Sequence, residues 1–69
     1  MIVTLVDGIL TINGTNYGLN NWWTIQNDFI KFYDEKNRPI NKFIKYNLVN
    51  LNGITYSSVN DLSNALTTL

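Results

Sequence analysis

The chain contains no cysteine and no histidine. Disulfides are therefore excluded, and a zinc or copper site would lack its usual thiolate and imidazole ligands. A chain of 69 residues buries only about 60% of the surface that its unfolded form exposes. Folds of this size usually lean on disulfides, a metal or further chains, so oligomerisation or unusually good packing is what remains. Charge is scarce too: five basic and five acidic residues cancel, leaving no whole-molecule field to steer the protein to nucleic acid or a membrane. No apolar run approaches the ~20 residues that span a bilayer. The opening MIVTLVDG has no basic n-region, so a secretory signal is not expected. There is a single proline, Pro39, and there are four glycines.

Three of those glycines follow Asp or Asn, as Asp7-Gly8, Asn13-Gly14 and Asn52-Gly53. Such pairs suit two-residue type I′ turns, because both central residues take positive φ. Asn is abundant, at twelve residues, an association with AT-rich microbial or viral genes. The first two turns predict a three-stranded meander over residues 1–19. Across Asp7-Gly8, Val3 faces Ile12 and Leu5 faces Leu10. Across Asn13-Gly14, Ile12 faces Thr15 and Leu10 faces Tyr17. Alternation then puts Val3, Leu5, Leu10, Ile12 and Tyr17 on one buried face. Asn13-Gly14-Thr15 also fits the glycosylation sequon, but the turn explains it without a secretory context.

Residues 22–46 form an aromatic and basic hairpin region. Trp22–Gln26 and Phe29–Tyr33 read as strands around an Asn27-Asp28 turn, the charged run DEKNRP as a loop, and Ile40–Tyr46 as a returning strand. A symmetric loop would set Lys31 opposite Lys42, which is unfavourable, so that register stays open. Asn47 marks a bulge or corner. In residues 47–69, Val49–Leu51 and the segment from Ile54 predict a last hairpin on Asn52-Gly53, with Leu51 facing Ile54 and Val49 facing Tyr56. Ser58 is placed to cap a helix over 58–68, with Asp61 near its positive N-terminus. Val59, Leu62, Ala65, Leu66 and Leu69 make its apolar stripe. A helix this short is unstable alone in water and needs packing. The expectation is one α+β domain over 1–69: mainly antiparallel β, a hairpin and meander sheet of six to eight short strands, and one C-terminal amphipathic helix. The N-G-x-x-Y echo at Asn13–Tyr17 and Asn52–Tyr56 fits either two similar turns or a duplicated half-domain.

Catalysis has little to stand on. Asp7, Asp28, Asp34, Glu35 and Asp61 fall in turns or at a cap, where each has a structural use. No P-loop, dinucleotide or calcium-loop pattern is present. An enzyme is not expected, nor any cofactor or metal. All five cations, Lys31, Lys36, Arg38, Lys42 and Lys45, fall in one window among Phe29, Phe32, Tyr33, Phe43 and Tyr46. Aromatics interleaved with cations suit single-strand stacking; equally, the aromatics are core and the lysines a solvated edge. Trp22-Trp23 decides more. Strand neighbours point to opposite faces, so one indole joins the core and the other lies outside. One short helix covers one sheet face, so a second apolar face is left for another chain, unless the sheet curls to bury both sides. Trp22, Trp23, Phe29, Tyr33 and Phe43 are the candidate interface.

The closing GITYSSVNDLSNALTTL, with Ser58, Asp61, Leu62, Ala65 and Leu66 in an S-x-x-D-L-x-x-A-L pattern, resembles small virion proteins of tailed phages that infect gut Bacteroidetes. The resemblance spans roughly the last twenty residues. It implies a non-enzymatic structural role in the virion, as a capsid auxiliary, head-fibre or tail-adaptor protein assembled in the host cytoplasm. The implied partners are copies of itself or capsid and tail proteins, with nucleic acid and membrane not expected. The alternative is a small stand-alone binding module: a host-takeover or anti-defence protein, or a single-strand binder using the basic hairpin.

Overall fold

The computed structural model describes residues 1–68. The fold is α+β and mostly antiparallel. Strands β1 (Val3–Val6), β2 (Ile9–Ile12), β3 (Thr15–Leu19), β4 (Trp22–Gln26), β5 (Phe29–Tyr33), β6 (Ile44–Lys45) and β7 (Val49–Leu51) precede one helix, α1 (Val59–Thr67), and a 3-10 turn at Tyr46–Leu48 links β6 to β7. The strands form two sheets, ordered β3-β2-β1-β7 and β4-β5-β6.

The meander forms because its turns dictate it. Asp7-Gly8, Asn13-Gly14 and Asn52-Gly53 all have both φ values positive, which a type I′ turn requires. Val3 pairs with Ile12 and Leu5 with Leu10, as the turn spacing predicts. The expected Leu10–Tyr17 pair does not form. Thr11 pairs with Asn16, but Ile9 pairs with Leu19, so Tyr17 and Gly18 bulge out opposite Leu10. Gly18 accepts this because its φ is +82°, and its N–H donates to Asn16 Oδ1 at 2.7 Å. A bulge re-aims side chains, and Tyr17 is exposed instead of joining the buried face.

The C-terminal hairpin stops after one pair. Leu51 and Ile54 exchange backbone hydrogen bonds at 2.8 and 3.0 Å, but Val49 does not face Tyr56. Instead β7 runs parallel to β1, pairing Val3 with Val49 and Leu5 with Leu51. The free edge of β1 offers a full ladder, whereas the segment from Ile54 must turn away to reach the Ser58 cap. The two N-G-x-x-Y segments thus lead to different environments: Tyr56 packs against the core and Tyr17 does not. A duplicated half-domain finds no support in that difference.

The returning strand expected over Ile40–Tyr46 is reduced to Ile44–Lys45. Ile30 pairs with Ile44, while the Ile40 N–H donates to Phe32 O at 2.8 Å. Residues 41–43 loop out between these contacts. Asn41 makes the detour tolerable: its Oδ1 accepts from the Phe32 N–H at 3.0 Å, in place of a strand carbonyl.

The core lies where the inner faces of both sheets meet α1. Val3, Leu5, Leu10, Val49 and Leu51 come from the first sheet, Ile30, Phe32 and Ile44 from the second, and Leu62 and Leu66 from the helix. Each such side chain contributes about 1.5–3 kcal/mol by leaving water. The helix begins as expected. Ser58 Oγ accepts from the Asp61 N–H at 3.1 Å, and the Tyr46 hydroxyl donates to Ser57 O at 3.0 Å, tying the 3-10 turn to the helix entry. Leu69, the last residue of the predicted stripe, lies outside the described residues.

Asn41→Ala should leave the Phe32 N–H without an acceptor and cost about 1–3 kcal/mol. In urea denaturation the midpoint should fall at unchanged slope, and Asn41→Asp, which keeps an acceptor, should lose less.

Candidate functional site

Pairing of β4 with β5 sorts their side chains. Trp23 sits opposite Phe32 and Ile25 opposite Ile30; these face inward, where Phe32 and Ile30 are fully buried and Trp23 and Ile25 pack against the core. Trp22 sits opposite Tyr33, Thr24 opposite Lys31, and Gln26 opposite Phe29; these face outward. Lys45 pairs with Phe29 and joins the outer set.

The 41–43 detour completes that face. Continued regularly from the Tyr33–Pro39 pair, the return would set Lys42 opposite the fully buried Ile30; the detour puts Ile44 there instead, and the Lys31 ammonium lies 4.6 Å from the centre of the Phe43 ring. A cation over an aromatic face is attractive, so the detour keeps a lysine off the core side and adds a favourable contact outside. The Tyr33 hydroxyl lies 3.2 Å from Thr24 Oγ1, which fixes that ring. The Trp22 and Trp23 rings stand 4.8 Å apart, tilted by 30°, so the indoles touch although their residues belong to opposite faces.

Of the five candidate interface residues, Trp22, Phe29, Tyr33 and Phe43 are brought together outside, and Trp23 belongs to the core side. Trp22 is 56% exposed, Phe29 43% and Phe43 36%. The five cations do not act as one patch. Lys31 and Lys45 lie on the outer sheet face. Lys36 and Arg38 sit in the 34–38 loop, where with Asp34 and Glu35 they line a depression beside Tyr17 and Leu19 on β3. Lys42 is exposed in the detour. Leu19 and Tyr17, exposed on the β3 edge, were hidden from sequence reasoning because the bulge that turns them out leaves no signal beyond Gly18.

Asp34 organises the loop. Its Oδ1 accepts from the Lys36 and Arg38 N–H groups, both at 2.9 Å, and its Oδ2 from Arg38 Nε at 3.0 Å. The Arg38 backbone N–H is the main cause holding this carboxyl below its ordinary value of 3.8; partial burial opposes the shift, and the Lys36 N–H and the guanidinium add to it. These oxygens are engaged in shaping a turn. Among the described residues no three carboxylates converge on a metal-sized site, and a depression of about 360 Å³ between Trp23, Leu5 and Leu66 brings in only Asp7 as an ionisable group. An acid and a base within reach of one another, which general acid–base chemistry needs, are not placed there.

No protein-family model, curated protein or solved structure matches the chain. Function is therefore argued from the site.

The two indoles should separate in mutagenesis. Trp22→Ser should change stability by no more than about 0.5 kcal/mol, as surface substitutions do, whereas Trp23→Ser should cost on the order of 2 kcal/mol by opening the core side; denaturant midpoints measure both. The Asp34 contacts carry a pH signature. Because the folded carboxyl is held low, its stabilising effect is present above the ordinary value and lost as pH falls through the folded one. The Lys36 and Arg38 amide resonances should therefore shift on acidification below the usual carboxylate range, and those of Asp34→Asn should not.

Proposed function

We propose that the chain is a non-enzymatic structural and assembly protein that docks onto another protein chain through the outer face of β4–β5–β6. One observation carries this reading. Trp22, Phe29, Tyr33 and Phe43 share a solvent-facing surface, while the core closes without them. Aromatic side chains of this kind are enriched at interfaces and scarce as clusters on monomer surfaces. The size of the chain and its C-terminal resemblance support placing the role in a phage virion, as a capsid auxiliary, head-fibre or tail-adaptor protein repeated with the symmetry of the particle. A second reading, a single-strand binder, draws on Lys31 and Lys45 lying among these rings.

The wild-type chain should be recovered from purified particles made by the genome that encodes it. Trp22→Ser/Phe29→Ser should be missing from those particles while its circular dichroism stays native. Incorporation of the double variant, or a wild-type chain that is monomeric at high micromolar concentration and absent from particles, overturns the reading.

A further inference from the structure

The outer sheet face has a sign. Its three strands contain Lys31 and Lys45 but no Asp or Glu. Asp28 lies in the β4–β5 turn, and Asp34, past the far end of β5, already accepts from the Lys36 and Arg38 N–H groups and the Arg38 guanidinium. The face thus carries aromatic rings at both ends, with Lys31 between them, and is positive. Two copies set face to face would bring Lys31 and Lys45 against their own kind, and like charges across a desolvated contact oppose association. Stacking of nucleic-acid bases asks for open ring faces. Here one face of Phe43 is taken by the Lys31 ammonium at 4.6 Å, and Trp22 leans on Trp23 with ring centres 4.8 Å apart. What remains exposed are parts of the Trp22, Phe29 and Phe43 rings together with lysine stems, which pack well against aliphatic side chains.

We infer that the occupant of this face is a protein surface of a different kind from the face itself: an apolar patch carrying Asp or Glu carboxylates that meet Lys31 and Lys45. The inference rests on the docking reading above and adds the chemistry of the partner. Trp22 and Phe29 supply buried area, and the two lysines fix orientation and speed encounter.

Three probes test it against the wild-type chain: a peptide of alternating Glu and Leu, its Lys and Leu counterpart, and a dT oligonucleotide, followed by tryptophan fluorescence and sedimentation. The Glu-Leu peptide should bind, more weakly as salt is raised. Lys31→Glu/Lys45→Glu should bind it about tenfold less tightly or worse and should take up the Lys-Leu peptide instead. Trp22→Ser should weaken the Glu-Leu contact without altering the preference for acid. Tighter binding of the oligonucleotide than of the Glu-Leu peptide overturns the inference in favour of a single-strand site. A wild-type homodimer that Trp22→Ser dissolves overturns it in favour of a second copy. Equal binding of both peptides overturns the charge argument and leaves the apolar docking reading standing. Binding of neither overturns the inference, and recovery of the chain from particles then tells separately whether the docking reading survives.

Discussion

Parallel pairing of β1 with β7 sets the first strand beside the last, and the rest of the molecule is arranged around that closure. Val3 lies beside Val49 and Leu5 beside Leu51. Asn52 secures the far end, donating its N–H to Leu5 O at 2.9 Å and accepting from the Asp7 N–H through Oδ1 at 3.0 Å. Strands β2 to β6 are enclosed in that loop. The entropy of closure grows only slowly with loop length, but with no cysteine it must be met by noncovalent contacts. The closed sheet presents Val3, Leu5, Leu10, Val49 and Leu51 as one surface. The second sheet and α1 cover it with Phe32, Ile30, Ile44, Leu62 and Leu66. Neither sheet is wide enough to make a core alone, and each is the other's lid.

Asparagine holds this arrangement together at its irregular points. Asn13, Asn16, Asn41, Asn50 and Asn52 each accept a backbone N–H through Oδ1 where strand pairing stops or turns. Asn21 and Asn37 join the start of β4 to the charged loop through their side chains. Among the described residues, four of the five non-glycine residues with positive φ are Asn: Asn13, Asn27, Asn37 and Asn52. A short amide tolerates the left-handed region and substitutes for a missing backbone partner. Asparagine therefore has a structural use here beyond any reflection of base composition in the gene.

The outer aromatic face is a by-product of the same irregularity. A regular return of the chain from the Tyr33–Pro39 pair would have set Lys42 against the fully buried Ile30. Looping out residues 41–43 avoids that, and it brings Phe43 under the Lys31 ammonium. The detour shortens β6 to two residues and leaves the surface formed by Trp22, Phe29, Tyr33 and Phe43 without a covering element. The core closes without these rings, and that is the observation from which the assembly proposal is argued.

Local chemistry was enough to settle many of the elements, though not the Ile40–Tyr46 strand or the closing hairpin. The Asp-Gly and Asn-Gly turns, the β1–β2 register, the β4–β5 hairpin and the Ser58 cap all follow from contacts between residues close in sequence, so a single chain written out is sufficient to read them. Alternation likewise put Trp22 and Trp23 on opposite sides of β4. It could not say which indole is the inner one, because that depends on where the other sheet lies. Nor could it show that β7 would leave its own hairpin for β1, that Gly18 would turn Tyr17 outward, or that Asn41 would replace part of a strand. Each of those outcomes is a competition between a local pairing and a distant one, and the distant partner, absent from any short stretch of sequence, exists only once the chain has folded.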